Sequence, residues 1–599
     1  MPGPADTGTR QTDAYLGVEK SLTGKRWIMN GVDERTALTI AQRLQVPEIV
    51  GRLLAIRGIE LETAGDFLDP TLKALLPDPG HLKGMEEAAE RLAGAIMQDE
   101  LIAVFGDYDV DGATSSALLN RFISAAGGRC RVYIPDRLKE GYGPNTPALM
   151  LLKEEGASVV VTVDCGTNAF EPLTAARQAG LDVIVVDHHE AEATLPPSIA
   201  VINPNRLDED SPHGQLAAVG VAFLLVVALN RALRRAAWYG ERPEPDLLQW
   251  LDLVALGTVC DVVPLIGVNR ALVRQGLKVM AGRANTGLKA LSDVAGIDEA
   301  PGTYHAGFIL GPRINAGGRV GAADLGSRLL ASDDVDEAMT IAHKLNELNR
   351  ERQEIEAAVL ADAVDRVEST DLDKAPAILI DGEGWHPGVI GIVASRLKDR
   401  YNRPACVIAM DGGKGVGSGR SVKGVDLGAA VIAARQAGLL LGGGGHTMAA
   451  GFTVASEQLA GFRDFLSTRI GQQIETAAIV PSLYLDAPIN PGAATMGLLD
   501  ALQAVGPFGS GNPEPRFVIA NARLDYADQA GENHVRCTIA SDGGKPLKGI
   551  AFRALDSDLG PALLKSGGAP LHITGRLRVN HWRGYKTPQI QIDDAAEVW

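Results

Sequence analysis

The sequence predicts an α/β protein of several domains. It has a parallel-sheet domain, a second α/β domain reached through one long helix, and a C-terminal module with the element content of an OB-fold β-barrel. Three observations predict this. Apolar runs of strand length alternate with helical patterns between Leu101 and Val186, as right-handed crossovers between parallel strands require. From Asp333 to about Ser369 apolar residues recur at helical spacing in a charged remainder. Beyond about Val480, five or so short segments alternate in part with period two around one helical stretch.

Composition sets bounds before any motif is read. The chain has 599 residues, 46% of them hydrophobic, which is ample for several cores. A net charge of -17 argues against a general nucleic-acid coat, though not against an enzyme with a local basic groove. Five cysteines, Cys130, Cys165, Cys260, Cys406 and Cys537, lie far apart with no CxxC pair. Neither a zinc knuckle nor a disulfide framework is indicated, and a reducing, cytoplasmic compartment is expected. The start, MPGPADTGTRQTDAYL, lacks the apolar core of a signal peptide, and no uncharged apolar run reaches spanning length.

In chain order, residues 1–75 read as a mostly helical lead-in, with Arg26 and Trp27 at its start and helical spacing from Val32 to Ala55. Pro-Asp-Pro closes it, and a helix from Met85 to Gln98 follows. The run Leu101–Phe105 reads as a buried strand that ends in Gly106, Asp107, Asp109 and Asp111. Three carboxylates this close repel one another, and a divalent cation is the simplest way to keep all of them ionised. The alternative is a solvated Asp-rich turn. Further strands are expected at Cys130–Ile134, before a loop carrying Arg137, Lys139, Tyr142 and Asn145, and at Ala157–Val163 and Leu181–Val186. The last two run into Asp164-Cys165-Gly166 and Asp187-His188-His189. In a parallel sheet these strand ends share one edge, and imidazole with carboxylate suits a divalent transition ion. Asp261, in an otherwise apolar stretch, needs a partner or it neutralises.

Farther on, LGPRINAGGRVGAADLGSRLL supplies Arg313, Asn315 and Arg319, whose chemistry suits phosphate, whereas Arg328 reads as structural. On the long helix, Arg350 and Arg352 read as solvated. Strands are expected at Ala377–Ile380, Ala405–Ala409 and Lys414–Ser418, with Ser418, Arg420 and Ser421 in a small-residue loop. GGGGHTMAAG places Gly442–Gly445 and His446 in a structured turn before an apolar helix start. Near the C-terminus Arg576, Arg578, Asn580, His581, Trp582, Arg583 and Tyr585 make a basic, aromatic hairpin able to track a backbone and stack bases.

The blocks GDYDVDGATS, VDCG, VDHHE and GTVCDVVPL resemble the four motifs of the DHH phosphoesterase superfamily, in the order and spacing of its RecJ branch of single-strand-specific exonucleases. LGPRINAGGRVGAA, GWHPGVIGIVASRL, VGSGRS, GGGGHTMAAGF and PFGSGNPEPRF extend the resemblance over the chain from about Gly51. It implies a DHH catalytic domain at 76–332, a connecting helix at 333–370, a DHHA1 substrate-binding domain at 371–475 and an OB-fold domain at 476–599. It implies two divalent ions, Mn²⁺ or Mg²⁺, on Asp109, Asp111, Asp164, His188 and Asp261, with Asp164 bridging. Asp107 stands beside them, Asp187 orients the histidines, and His189 lies near the scissile phosphate. Substrate contacts fall to Arg313, Asn315 and Arg319, to Ser418 and Arg420 on a 5′-phosphate, and to His446, and the basic, aromatic hairpin itself adds Arg578 and Trp582.

The implied activity is 5′→3′ hydrolysis of single-stranded DNA to mononucleotides, in repair and recombination. The implied partners are single-stranded DNA, a single-strand-binding protein and a helicase, with no membrane and a monomeric chain. Two rivals stand beside it. One is a phosphodiesterase of short oligonucleotides or cyclic dinucleotides, which has little need of the C-terminal module. The other is a DNA-binding scaffold, which has little need of a complete ligand set.

Overall fold

The computed structural model describes residues 13–137, 139–477, 480–541, 545–582 and 585–598, with the side chains of residues 477 and 582 outside that description. The chain forms two compact units. The first comprises Met1–Ile314, Asp324–Ala342 and Ser482–Trp599, the second Asn315–Ala323 and His343–Pro481.

In the first unit, β1 (Arg26–Met29) precedes a set of short helices that includes Glu34–Leu44, Glu48–Ile56 and Leu61–Leu68. The residues expected to open a helical lead-in therefore form a strand. A parallel sheet follows, built from β2 (Leu101–Gly106), β3 (Arg129–Tyr133), β4 (Ala157–Val163), β5 (Asp182–Val186) and β6 (Ala200–Ile202). Every pairing is parallel and the order is β3-β2-β4-β5-β6. Helices Thr146–Glu154 and Phe170–Gln178 pack on the side chains of Ala103, Phe105, Val160, Val183 and Val185. Helices Met85–Met97, Val110–Ala125 and Ala218–Arg235 pack together on the other side. Both faces are thus dry, which is why β2, β4 and β5 are continuous apolar runs. The chain leaves β2 toward β3 and returns to build β4 on the other side, so the strand order reverses between β2 and β4. Such a switch point opens a crevice beyond the strands' carboxyl ends.

The second unit holds most of the helix Val335–Ser369 and a mixed sheet of β7 (Ile378–Glu383), β8 (Ala405–Asp411), β9 (Lys414–Arg420), β10 (Gly442–His446) and β11 (Ala449–Ala455). The order is β10-β11-β9-β8-β7, with β7 and β8 parallel and the others antiparallel. The expected helix after GGGGH is therefore a strand. Ala449 to Ala455 is held by ladders on both sides, which override the helical propensity of its alanines. On the long helix, Arg350 pairs with Glu354 in solvent, as expected. Arg352 does not: it is 8% exposed and locked to Glu356 at 2.7 Å and to Asn349 at 2.9 Å.

The C-terminal part of the first unit contributes β12 (Ser482–Leu485), β13 (Ala487–Pro488), β14 (Phe517–Ala522), β15 (Leu524–Ala530), β16 (His534–Ile539), β17 (Leu547–Ala551), β18 (Leu571–Trp582) and β19 (Tyr585–Glu597). Seven of them form one sheet in the order β13-β14-β18-β19-β17-β16-β15. β12 instead pairs in parallel with β1. Trp27, fully buried, donates its indole N–H to Asp594 at 3.0 Å, and Asp594 also accepts from the Thr23 amide. Arg270, on helix Gly267–Ala281, is the second tie. Its guanidinium lies 3.8 Å from the Phe67 ring and donates to the carbonyls of Phe67, Val505 and Gly506.

Candidate metal centre

Each strand end at the switch point continues the neighbouring ladder by one bond before turning away. The amides of Asp107, Asp164 and Asp187 donate to the carbonyls of Val163, Val186 and Ile202. Backbone pairing therefore puts three carboxylate-bearing residues side by side. Asp164 then adopts φ +60°, an uncommon left-handed conformation for a non-glycine residue. After β2, Asp109 caps the helix Val110–Ala125, its Oδ1 accepting from the amides of Asp111 and Gly112 at 2.8 and 3.1 Å. Position 112 must be glycine, because a Cβ there would collide with the backbone of Asp107. Asp111 is buried and faces the start of helix Ala218–Arg235, whose Ala218 and Val219 amides donate to its two oxygens at 2.7 and 2.9 Å. Asp261 follows the end of helix Leu251–Cys260.

These residues converge. His188 Nε2 lies 3.3 Å from Asp164, 3.6 Å from Asp261 and 4.0 Å from Asp111. Three groups have donor atoms close enough to share an ion: Asp107, Asp109 and Asp164; Asp164, His188 and His189; and Asp111, His188 and Asp261. Asp164 and His188 each belong to two of them. Asp107 thus sits among possible ligands rather than beside them, and His189 shares a group with the ligand histidine.

The electrostatics point the same way. Burial, reinforced by Asp109, pushes Asp107 up to about 8 and Asp111 up to about 7. Burial and the nearby Asp111 push Asp261 up to about 9, and Asp164 is raised by burial and by Asp109. Burial also lowers His188 to about 4, so its imidazole is neutral at pH 7. Asp107 Oδ1, Asp261 Oδ2 and His188 Nε2 are buried without a hydrogen-bond partner. Buried, orphaned carboxylate oxygens and a neutral imidazole nitrogen, each within one of these three groups, form the donor set of a divalent cation.

Asp187 behaves differently. Burial opposes its charge, yet hydrogen bonds from His189 and Thr167 hold it below the usual carboxylate range. It accepts from His189 Nδ1 at 2.7 Å and from the Thr167 amide at 3.0 Å. Burial lowers and the Asp187 carboxylate raises the His189 pKa, with a net upward shift.

Several residues outside the acidic motifs fix this arrangement. Asn203 donates to Thr167 Oγ1 at 2.9 Å and to the His189 carbonyl at 2.8 Å, and Asn205 donates to the His188 carbonyl. Tyr142 Oη donates to the Asp164 carbonyl at 3.0 Å and lies 3.4 Å from His189. Neither Asn203 nor Asn205 was singled out from the sequence; the Asn-Pro-Asn run directly after β6 is the signal that could have found them.

Residues 101–258 match the DHH family N-terminal domain, 354–472 the DHHA1 domain and 485–594 the RecJ OB domain. The single-stranded-DNA-specific exonuclease RecJ of Escherichia coli (strain K12) is 36% identical over 93% of this chain and 96% of its own length. The chain belongs to the RecJ family. RecJ of Bacillus subtilis (strain 168) is likewise 36% identical, over 95% of this chain and 71% of its own. The crystal structure of RecJ in complex with Mn²⁺ from Thermus thermophilus superposes with a TM-score of 0.79 at 30% identity, over 95% of this chain and 79% of that one.

The remaining expected RecJ-type site residues fall on other elements. Arg313, Asn315 and Arg319 are on the helix Gly311–Val320, Arg313 in the first unit and the other two in the second. Arg319 donates to the Gly388 carbonyl at 2.8 Å. Within the second unit, Arg420 donates to Ser418 Oγ at 3.1 Å, and a Cβ on Gly391, in the first turn of helix Ile390–Tyr401, would lie 3.0 Å from that oxygen. Arg420 and His446 flank Ala449 in one cross-strand row, and Ser418 and Gly444 flank Gly451 in the next. The glycines thus leave this sheet face bare beside Ser418 and Arg420. In the OB module Arg578 is forked to Glu514, with one contact at 2.6 Å. The side chain of Trp582, and Arg583 altogether, lie outside the described residues.

Proposed function

We propose that the chain is a metal-dependent 5′→3′ exonuclease that hydrolyses single-stranded DNA to 5′-mononucleotides in DNA repair and recombination. The observation that carries this reading is the pair of overlapping donor groups sharing Asp164 at the switch point of the parallel sheet. Asp107, Asp109, Asp111, Asp164, His188 and Asp261 hold two divalent cations, Mn²⁺ or Mg²⁺, with the imidazole favouring Mn²⁺. When bound, such cations supply a water that is nucleophilic at neutral pH and neutralise charge on the phosphoryl oxygens.

The chain's own groups do the rest. Asp187 accepts a 2.7 Å hydrogen bond from His189 Nδ1 and fixes the ring. The upward shift that Asp187 imparts favours the imidazolium, which donates to the phosphate undergoing substitution. Helix Ala218–Arg235 holds Asp111 in place through two amides. Ser418 and Arg420, on β9 rather than in the expected loop and beside the first turn of helix Ile390–Tyr401, are the groups we assign to the terminal 5′-phosphate.

A cytoplasmic site of action follows from the substrate. A helicase that frees strands and a protein that coats them are the partners such an enzyme calls for. Among the described residues no helix is long and apolar enough to cross a membrane.

The test is a time course on end-labelled DNA with Mn²⁺, comparing single-stranded and blunt duplex substrates with and without a 5′-phosphate, alongside Asp164→Ala. Mononucleotides released from 5′ ends of single strands by the native protein alone are the expected result. Cleavage confined to dinucleotides or the shortest oligomers would overturn it.

A further inference from the structure

The helix that carries Arg313 contains a π-helical segment, His305–Leu310, directly before Gly311–Val320. Such segments are rare and occur frequently at functional sites. Its inner face is seated on the helix that ends at Asp261. The Cys260 thiol donates to the Ala306 carbonyl at 3.4 Å, and a Cβ on Gly307 would lie 3.4 Å from Val259. A Cβ on Gly311 would collide with the Cys260 sulfur. The segment is therefore fixed within one residue of a proposed metal ligand.

Its outer face carries two aromatic rings in solvent. Tyr304 is 59% exposed and Phe308 is 73% exposed, yet the rings are stacked on each other, with centroids 5.5 Å apart and planes 25° apart. His305 braces Tyr304 edge-on and is itself held by the Gly302 amide at 3.1 Å. Val262, the residue after Asp261 in the chain, is also exposed, at 68%. Lone exposed apolar residues are ordinary; two solvent rings stacked on a segment that is seated against the helix preceding Asp261 are not.

We propose that Tyr304 and Phe308 form a stacking platform for an unpaired nucleobase of the DNA strand whose phosphate lies at the metal centre. This rests on the exonuclease reading above and adds the groups that hold the bases. A ring face binds any base without regard to sequence, as a processing exonuclease requires. It also discriminates strand state, because bases within a duplex are already stacked on their neighbours and have no face to offer.

The test measures affinity for 5′-phosphorylated single strands by fluorescence anisotropy, with Ca²⁺ replacing the catalytic ion. It uses the native chain, Phe308→Ala, Tyr304→Ala and Phe308→Trp, and an abasic nucleotide walked along the strand from its 5′ end. We expect Phe308→Ala to weaken binding about 10-fold, Phe308→Trp to retain it, and one abasic position to weaken native binding by the same factor while adding nothing in Phe308→Ala. Native cleavage of the same strands with Mn²⁺ is run in parallel. If the native chain cleaves single strands and Phe308→Ala binds them equally well, or if the abasic penalties persist in that variant, the platform is overturned and the exonuclease reading stands. If the native chain neither binds nor cleaves single strands, both fall.

Discussion

Asp107 and Asp261 carry pKa values near 8 and 9 because protein atoms alone leave them buried among like charges. The sign of the consequence follows. A raised pKa means that the cation-free site still holds protons at pH 7. A bound cation must expel them, so affinity rises with pH until the site is deprotonated, and binding releases protons. Calorimetric titration of Mn²⁺ at pH 7 in buffers of different ionisation enthalpy should show net proton release, shrinking as the pH approaches 9. Replacing Asp164, common to two of the donor groups, by Asn should abolish this binding and the nuclease activity together. Asn203 makes a gentler test. It bonds to Thr167, the His189 carbonyl and the Asn205 amide rather than to any of the donor atoms. Asn203→Ala should therefore leave Mn²⁺ bound and lower kcat about 10- to 100-fold, as loss of an outer hydrogen-bonding partner does.

At the scale of elements, the helix Val335–Ser369 carries a buried ion pair rather than a solvated stripe. Arg352→Ala would leave Glu356, among the described residues, with only Arg396, at 3.3 Å, to answer it, and should cost about 3 kcal/mol in urea unfolding. Arg350→Ala, with its partner in solvent, should cost less than about 0.5 kcal/mol. Legibility also divides by element. β2, β4 and β5 were readable because burial on both faces writes itself as an unbroken apolar run. β10 and β11 were not: Gly-Gly-Gly-Gly-His has no strand propensity, and only the ladder from Gly442↔Thr453 to His446↔Ala449 makes it a strand. Within the site, the aspartates and histidines announced themselves by clustering at strand ends. Thr167, Asn203 and Tyr142 did not, since each is an ordinary polar residue until the sheet brings it to His189 or Asp164. Arg352 misled for the converse reason, because its charge says nothing about its burial against Glu356 and Asn349.

At the scale of the molecule, the first described strand is paired with one that follows the second unit. Trp27→Ala removes a buried ring and orphans an oxygen of Asp594, and should cost about 3–5 kcal/mol, read as a lower thermal midpoint. Because β12 and Asp594 flank the OB module, limited proteolysis of that variant should begin there rather than in the parallel sheet.

The β1–β12 pairing also bears on how the chain is made. At roughly 5–20 residues per second, Ser482–Leu485 is synthesised roughly 20–90 s after Arg26–Met29. The carbonyls of Val505 and Gly506 that Arg270 needs come later still. The parallel sheet with its metal ligands is complete by Asp261 and can close early on local crossovers. β1 must wait for β12. A nascent chain therefore assembles its cutting centre well before β1 and β12 are tied together.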